Sequence, residues 1–222
     1  MRGNYGVEIL YEDNHLLVAV KPPNMPTQAD SSGDMDILTY LKGYVKEAYG
    51  KPGAVYLGLV HRLDRPAAGV MVFARTSKAA ERLSRQIQNG AFQKTYRAVV
   101  EGVPDDAGTF TDYLVKGEGN LSRVARADTP GAKRAVLHYR MLDHGNNRSL
   151  VEIDLVTGRP HQIRVQFASR GMPLVGDARY GSGGRQLALY ATGISLIHPT
   201  KQERMDFVSD GCENRFNRLL RG

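Results

Sequence analysis

Cysteine is almost missing from this sequence: Cys212 is the single thiol among 222 residues. A lone cysteine excludes an internal disulfide and any zinc site built from several cysteines. We therefore expect a chain that works in a reducing compartment, the cytoplasm, and that forms its core without covalent or metal crosslinks. Its 41% hydrophobic and 24% charged residues are ordinary for a globular protein and suffice for such a core.

Long apolar runs are missing too. The N-terminus has no basic stretch followed by an apolar segment, and no segment is long enough to span a bilayer. The sequence predicts a soluble, unexported protein without a membrane partner. Gly117-Glu118-Gly119 completes neither a dinucleotide fingerprint nor a P-loop, so no nucleotide cofactor is expected.

Acidic residues are outnumbered. Lys and Arg total 30 against 23 Asp and Glu, which gives a net charge of +7 and an isoelectric point near 9.5. Such an excess is typical of nucleic-acid-binding proteins. Charge alone does not separate such a protein from one whose basic surface is merely solvated.

Hydrophobic patterning predicts many strands and few helices. The predicted strands and hairpins cover residues 7–11, 16–20, 55–60, 69–74, 92–100, 109–110, 135–142, 149–157, 187–190 and 193–197, and the predicted helices cover 36–48, 77–90, 160–167 and 214–221. Residues 117–131 are polar and rich in cations, and they predict a long exposed connection. The fold class indicated is α+β, a single domain with a large mixed, mostly antiparallel β-sheet flanked by helices and loops.

The segment His61 to Pro66 carries the most specific chemical signal. It places Asp64 between Arg62 and Arg65, directly after the apolar run 55–60. Cationic neighbours favour the charged form of a carboxylate, so we expect Asp64 to be ionised at neutral pH, with the same cations available to a polyanion. An isolated match of this kind is also compatible with a structural ion pair.

Four segments in a fixed order resolve this ambiguity. They are VHRLDR (residues 60–65) running on to Phe73-Ala74, KTYRA (94–98), GRPHQIRV (158–165) and PLVGDARYG (173–181). In their order and spacing they resemble the RluA-type pseudouridine synthase family, and with residues 13–22 and 196–200 the resemblance extends over nearly the whole chain.

The resemblance implies an isomerase without a cofactor or metal. Such an enzyme breaks the glycosidic bond of a uridine in RNA, rotates the freed uracil and rejoins it through carbon. Asp64 then resembles the nucleophile, because a carboxylate can form a covalent intermediate without redox chemistry. Whether it attacks the sugar or the base stays open. The implied partner is RNA, a stem-loop of rRNA or tRNA. Nothing in the sequence demands an oligomer, so we expect a monomer whose residues 1–222 form one catalytic domain with no separate accessory RNA-binding domain.

The family pattern also implies roles for other residues. Arg164 resembles the basic partner that keeps the aspartate ionised and oriented. Tyr96 resembles the aromatic residue that stacks on the target base and restrains it while it turns. Arg62 is expected to occupy the space that the flipped uridine vacates, or else to contact a phosphate. The other cations expected along the cleft, where they position the RNA backbone, are Lys21, Arg65, Lys94 and Arg159.

Two histidines and a second aspartate remain. For His61 and His161 no third residue at a telling spacing supports general-base chemistry, so structural hydrogen bonding is predicted for both. Asp177 lies in a loop, where it is expected to fix a turn or to pair with a nearby Arg.

The chain departs from the family pattern at three positions. Ala67, Ala68 and Pro160 stand where hydroxyl residues are usual. If those hydroxyls contact RNA, the substrate or the efficiency differs here; if they only shape the turn, Pro66 rigidifies it instead. Two other hypotheses stay open: a catalytically silent RNA-binding factor, and an RNA N-glycosidase in which Asp64 and Asp177 admit water to the sugar.

Overall fold

A computed structural model describes residues 5–221 of the chain, so residues 1–4 and 222 of the predicted 1–222 domain lie outside the described part. The chain divides into two compact units. Unit 1 contains the chain up to Gln93 together with Gly193–Ser209, and unit 2 contains Lys94–Thr192 together with the chain from Asp210 onward.

Eleven strands and four α-helices occur among the described residues. The strands are β1 (Glu8–Glu12), β2 (Leu16–Lys21), β3 (Gly58–Leu59), β4 (Ala68–Ala74), β5 (Gln93–Glu101), β6 (Ala107–Lys116), β7 (Ser122–Ala125), β8 (Lys133–Gly145), β9 (Arg148–Leu155), β10 (Leu189–Ile197) and β11 (Arg204–Val208). The helices are α1 (Ile37–Ala48), α2 (Ser77–Asn89), α3 (Gln162–Ala168) and α4 (Glu213–Arg221). The α+β class is confirmed.

Unit 1 is built on β4, whose seven residues are all buried. Strand β2 pairs antiparallel with it, β1 pairs with β2, and the last five residues of β10 pair with β11. The apolar side chains of these strands pack with Leu83 of α2 and with Phe92, which follows that helix. Each such side chain contributes roughly 1.5–3 kcal/mol when fully buried, so this core fixes the two ends of the loop that carries Asp64.

The helices of unit 1 begin and end where local chemistry predicts. The Asp36 side chain caps α1 by accepting the N–H of Thr39, and Thr76 caps α2 by accepting the N–H of Ala79. Gly90 ends α2 in the left-handed conformation, which costs glycine little. Within the described part of the chain, none of the helices has both the length and the apolar character needed to cross a membrane.

Unit 2 is an antiparallel sheet in which β5, β9, β8, β6 and β7 are successive neighbours. Three aromatic rings, those of Phe110, Tyr139 and Phe167, pack with centroids 4.8–5.6 Å apart and join α3 to this sheet. At the other end α4 approaches so closely that a side chain at Gly145 would meet the carbonyl oxygen of Leu220 at 2.7 Å.

Several predicted elements differ from the structure. The predicted strand 55–60 is reduced to the two residues of β3, and the two predicted strands at 187–197 form one continuous strand, β10. The connection predicted at 117–131 contains an edge strand, β7, which pairs with β6. Pro160 precedes α3 rather than opening it, because His161 takes a left-handed conformation with φ of 54° just before the helix.

Candidate active site

Asp64 lies in the loop between β3 and β4. Its side chain is partly exposed, whereas the neighbouring Leu63 is buried. The Thr27 hydroxyl holds this loop: it donates to the carbonyl oxygen of Leu63 at 2.8 Å and accepts the N–H of the same residue at 3.3 Å. On the other side, the N–H of Ala67 donates to the carbonyl oxygen of Asp64 at 3.0 Å. The backbone around Asp64 is thus fixed, and the carboxylate remains partly accessible.

Lys21 stabilises the same loop through hydrogen bonds to backbone carbonyl groups. It is 0% exposed, and its ammonium group donates to the carbonyl oxygens of Pro22 at 3.0 Å, Met25 at 2.7 Å and Arg65 at 3.1 Å. Burial lowers the pKa of Lys21 to about 7, against the opposing effect of the Asp64 carboxylate. A lysine enclosed by three carbonyl groups does not fit the predicted contact with an RNA phosphate, because its donors are already used inside the protein.

Arg65 and Arg62 are exposed, on either side of Asp64. The guanidinium group of Arg65 donates to the carbonyl oxygen of Asn24 at 3.2 Å and to the Ser32 hydroxyl at 3.0 Å, and it forms an ion pair with Asp34. Exposed ion pairs of this kind contribute only about 0–1 kcal/mol. A phosphate could therefore replace these partners of Arg65 at little cost.

His61 has a structural role in the loop. Its Nε2 accepts the N–H of Val72 at 2.9 Å, and its ring packs against Phe92 with centroids 5.3 Å apart. A neutral imidazole whose Nε2 accepts carries its proton on Nδ1. This geometry agrees with the hydrogen-bonding role predicted for His61.

Tyr96 and Lys94 lie on β5 in unit 2. Tyr96 is 6% exposed and stands opposite Ile153 of β9. The ammonium group of Lys94 lies beside Gly158, where an added Cβ would come within 3.2 Å of its Nζ. Burial lowers the pKa of Lys94. The absence of a side chain at position 158 thus leaves room for the ammonium group of Lys94.

Arg164 is held by Asp177. Its Nε and Nη2 atoms donate to Oδ2 and Oδ1 of that carboxylate, both at 2.8 Å. Arg164 is 3% exposed and Asp177 is 0% exposed. Oδ1 of Asp177 also accepts the backbone N–H groups of Arg179 and Tyr180. The prediction that Asp177 fixes a turn or pairs with an arginine describes both of these contacts. A carboxylate so enclosed is a poor base for activating water, which argues against the glycosidase hypothesis.

The segment before α3 is fixed by side-chain hydrogen bonds. The Gln162 amide oxygen accepts the N–H of Arg159 at 3.0 Å and the hydroxyl of Thr157 at 2.8 Å. The guanidinium of Arg159 donates to the carbonyl oxygen of Arg134 at 2.9 Å. Nδ1 of His161 lies 2.8 Å from the Tyr180 hydroxyl, again the structural role predicted.

The predicted site residues fall into two groups. Lys21, Arg62, Asp64 and Arg65 belong to unit 1, and Lys94, Tyr96, Arg159 and Arg164 belong to unit 2. Thr27 was not predicted, because a single threonine in a polar loop gives no signal of a contact with a residue 36 positions away. Across residues 5–221, His, Cys, Asp and Glu side chains form no group of three that could hold a metal ion.

Comparison with known proteins identifies the family. Residues 15–169 match the RNA pseudouridylate synthase family model. The chain is 37% identical over 206 residues to the RNA pseudouridine synthase YhcT of Bacillus subtilis, covering 90% of this chain and 67% of that protein. It is 34% identical over 220 residues to the ribosomal large subunit pseudouridine synthase D of Zymomonas mobilis, covering 92% and 69%.

A solved structure agrees. Human RNA pseudouridylate synthase domain containing 4 superimposes with a TM-score of 0.76 at 25% identity, over 91% of this chain and 87% of that one. The fold and the sequence matches together define one class of RNA-modifying enzyme. The chain belongs to the RNA pseudouridine synthase family, whose members isomerise uridine to pseudouridine in RNA.

Proposed function

We propose that this protein isomerises specific uridines of ribosomal RNA to pseudouridine, with Asp64 as the nucleophile. The proposal rests on the conformation of the Asp64 loop and on the exposure of its carboxylate. Its backbone is fixed by Thr27 and Lys21, while its carboxylate stays partly exposed between two exposed arginines. A carboxylate positioned in this way can attack carbon and leave again without a metal or redox group.

The other predicted roles belong to the same proposal. Tyr96 and Arg164 are the remaining catalytic residues, in the roles that the sequence resemblance implies. Arg62 is the residue expected to replace the flipped base, and its exposed position supports this role. The cations Arg65, Lys94 and Arg159 position the RNA backbone. Lys21 is no longer counted among these RNA-binding cations, because it is buried and stabilises the nucleophile loop instead.

The choice of ribosomal RNA rests on the relatives. Several similar proteins, from Zymomonas, Pseudomonas and Haemophilus, are named ribosomal large subunit pseudouridine synthase D. The net charge of +7 suits a polyanionic substrate, and a stem-loop presents the unstacked bases that proteins read in RNA. We expect the protein to act as a monomer in the cytoplasm, where ribosomes are assembled, with RNA as its partner.

The test is a pseudouridine map. Ribosomal RNA and transfer RNA lacking the modification are incubated with the wild-type protein, with Asp64→Asn and with Asp206→Asn, and pseudouridine is located by chemical derivatisation. Asp206 is an exposed carboxylate of the same unit and serves as the matched control. We expect a new site in ribosomal RNA with the wild type and Asp206→Asn, and a rate at least roughly a thousandfold lower with Asp64→Asn.

Each other outcome overturns a defined part of the proposal. No new site in either RNA would favour the silent RNA-binding factor. Release of free uracil would favour the glycosidase, since isomerisation leaves the mass of the RNA unchanged. A new site in transfer RNA alone would refute the assignment of the substrate. Full activity of Asp64→Asn would refute the assignment of the nucleophile.

A further inference from the structure

Arg164 is a buried arginine on a short helix whose buried neighbours include Ile163, Val165 and Phe167. Its charge is balanced by Asp177, which binds it through two parallel hydrogen bonds of 2.8 Å. We propose that Asp177 is a positioning residue of the reaction, whose buried carboxylate fixes the orientation of the Arg164 guanidinium group. This inference rests on the proposed function, because it assigns Asp177 a role through a residue of that site.

The geometry of the pair favours orientation over simple neutralisation. A carboxylate that binds Nε and Nη2 together occupies the side of the guanidinium group and fixes the plane of its five N–H bonds. The opposite edge, formed by Nη1 and the second hydrogen of Nη2, is thereby directed away from Asp177. The Arg164 guanidinium group therefore presents its opposite edge to an acceptor in one fixed direction.

Asp177 is itself immobile. Its Oδ1 accepts the backbone N–H groups of Arg179 at 2.9 Å and Tyr180 at 3.1 Å, in addition to Nη2 of Arg164. Burial alone would raise the pKa of Asp177, but the hydrogen bonds from Arg164 and from these backbone groups outweigh it, and the pKa is lowered. The carboxylate is therefore charged throughout the neutral range and serves as a fixed anchor.

Tyr180 forms a second restraint on the same guanidinium group. Cζ of Arg164 lies 5.2 Å from the centroid of the Tyr180 ring. The hydroxyl of Tyr180 accepts the N–H of Ser122 at 2.8 Å and lies 2.8 Å from Nδ1 of His161. The ring is thus tied to β7 and to the start of α3, so Arg164 is held from its side by Asp177 and over its face by Tyr180.

A purely stabilising role is a weak explanation of this arrangement. Taking two charges out of water carries a large desolvation cost, and replacement of a buried ion pair by apolar residues is often neutral or stabilising. The turn at Asp177 needs an acceptor for the backbone N–H groups of Arg179 and Tyr180, but an uncharged amide oxygen would supply one without burying a charge. The buried pair is explained if the protein needs Arg164 in one fixed orientation.

The experiment compares Asp177→Asn with Asp112→Asn. Asp112 also binds an arginine through two hydrogen bonds, to Arg170 at 3.0 and 3.2 Å, and belongs to the same unit, so it is the matched control. Single-turnover rates and RNA affinities are measured on ribosomal RNA. We expect Asp177→Asn to lower the rate constant roughly 10- to 1,000-fold with the RNA affinity changed less than about threefold. Asp112→Asn should stay within about threefold in both.

A double-mutant cycle separates positioning from structure. If Asp177 acts through Arg164, the double variant Arg164→Met with Asp177→Asn should be no slower than Arg164→Met alone, because the arginine to be positioned is already gone. Effects that multiply independently would overturn the inference. So would a folded Asp177→Asn with a rate within threefold of the wild type.

A measurement on the wild-type protein covers the case in which the variants do not fold. A guanidinium group held on its side and its face rotates slowly, so Arg164 should give separate Nη resonances in ¹⁵N spectra, unlike the exposed Arg126. A single averaged Nη resonance for Arg164 would refute the inference. If the wild type forms no pseudouridine at all, the proposed function fails; if it does and Asp177→Asn is equally active, only the positioning role fails.

Discussion

Replacement of Lys21 by methionine should change how stability depends on pH. In the folded protein burial lowers the pKa of Lys21 to about 7, whereas an unperturbed lysine has a pKa of 10.5. Between these values the unfolded chain holds a proton that the folded protein has released. Unfolding then takes up a proton, so the free energy of unfolding rises as the pH rises. This contribution is complete above pH 10.5 and is lost as the pH falls through about 7.

The size of the effect follows from the two pKa values. Integration of the difference in bound protons from pH 6 to pH 9 gives about 2–3 kcal/mol. Lys21 is 0% exposed, so solvent does not screen this effect. Lys21→Met has no titrating amine at this position, so its free energy of unfolding should not show this rise with pH. Loss of the three hydrogen bonds to carbonyl groups shifts its stability by an amount that does not depend on pH, so that shift cancels from the slope.

The assay is urea unfolding, followed by circular dichroism at pH 6, 7, 8 and 9. The difference in free energy of unfolding between wild type and Lys21→Met should change by about 2–3 kcal/mol across this range in favour of the wild type. Lys78→Met, on the exposed side of α2, should parallel the wild type. A difference that stays constant within about 0.5 kcal/mol would refute the reasoning. A lysine titration by NMR on the wild type gives an independent check of the pKa.

Two further predictions concern unit 1 and unit 2 in turn. The Asp13 carboxylate accepts the N–H groups of His15 and Leu16, both at 2.8 Å, and although burial opposes it, the pKa is lowered to about 2. Stability from Asp13 is therefore lost as the pH falls, and between pH 5 and pH 3 the wild type should lose about 1 kcal/mol more than Asp13→Asn in urea unfolding. Gly176→Ala places a Cβ 2.2 Å from the Gln186 carbonyl oxygen, whereas at Gly183, which has a similar positive φ, the nearest atom is 3.9 Å away. We expect losses of about 3 kcal/mol or more for Gly176→Ala and about 1 kcal/mol for Gly183→Ala, and equal losses would show that the backbone relaxes.

Local features of the fold could be read from the sequence because their causes lie within a few residues. Helices α1 and α2 begin within one residue of the predicted starts, where Asp36 and Thr76 supply the caps, and Gly145-Asn146-Asn147 forms the turn between β8 and β9, with positive φ at both asparagines. The loop at Asp64 was also found, because it interrupts apolar segments. The short strands β7 and β11 were missed, since strands of four or five residues with few buried side chains have little periodicity.

Side-chain partners were harder to predict, because they depend on contacts between distant segments. Lys21 looks like any surface cation in the sequence. Its burial arises only when the turn at Pro22–Met25 and the loop at Arg65 bring three carbonyl groups to its ammonium group. The pairing of Asp177 with an arginine was anticipated, but which arginine it binds depends on how α3 packs.

Lys21 and the Arg164–Asp177 pair have the same physical character. In each case an ionisable group is buried, which disfavours folding when the group is charged, and in each case the hydrogen bonds hold a functional segment in one geometry. Uncharged polar residues at these positions could make part of these hydrogen bonds without the desolvation cost of a charge, so stability alone does not account for the charged groups. The double variant Arg164→Met with Asp177→Asn tests this directly, because an asparagine amide oxygen can still accept the backbone N–H groups of Arg179 and Tyr180. The argument requires that this variant unfold at about the same urea concentration as the wild type and yet form pseudouridine far more slowly. A loss of 3 kcal/mol or more in its free energy of unfolding would mean that the pair is there for the fold.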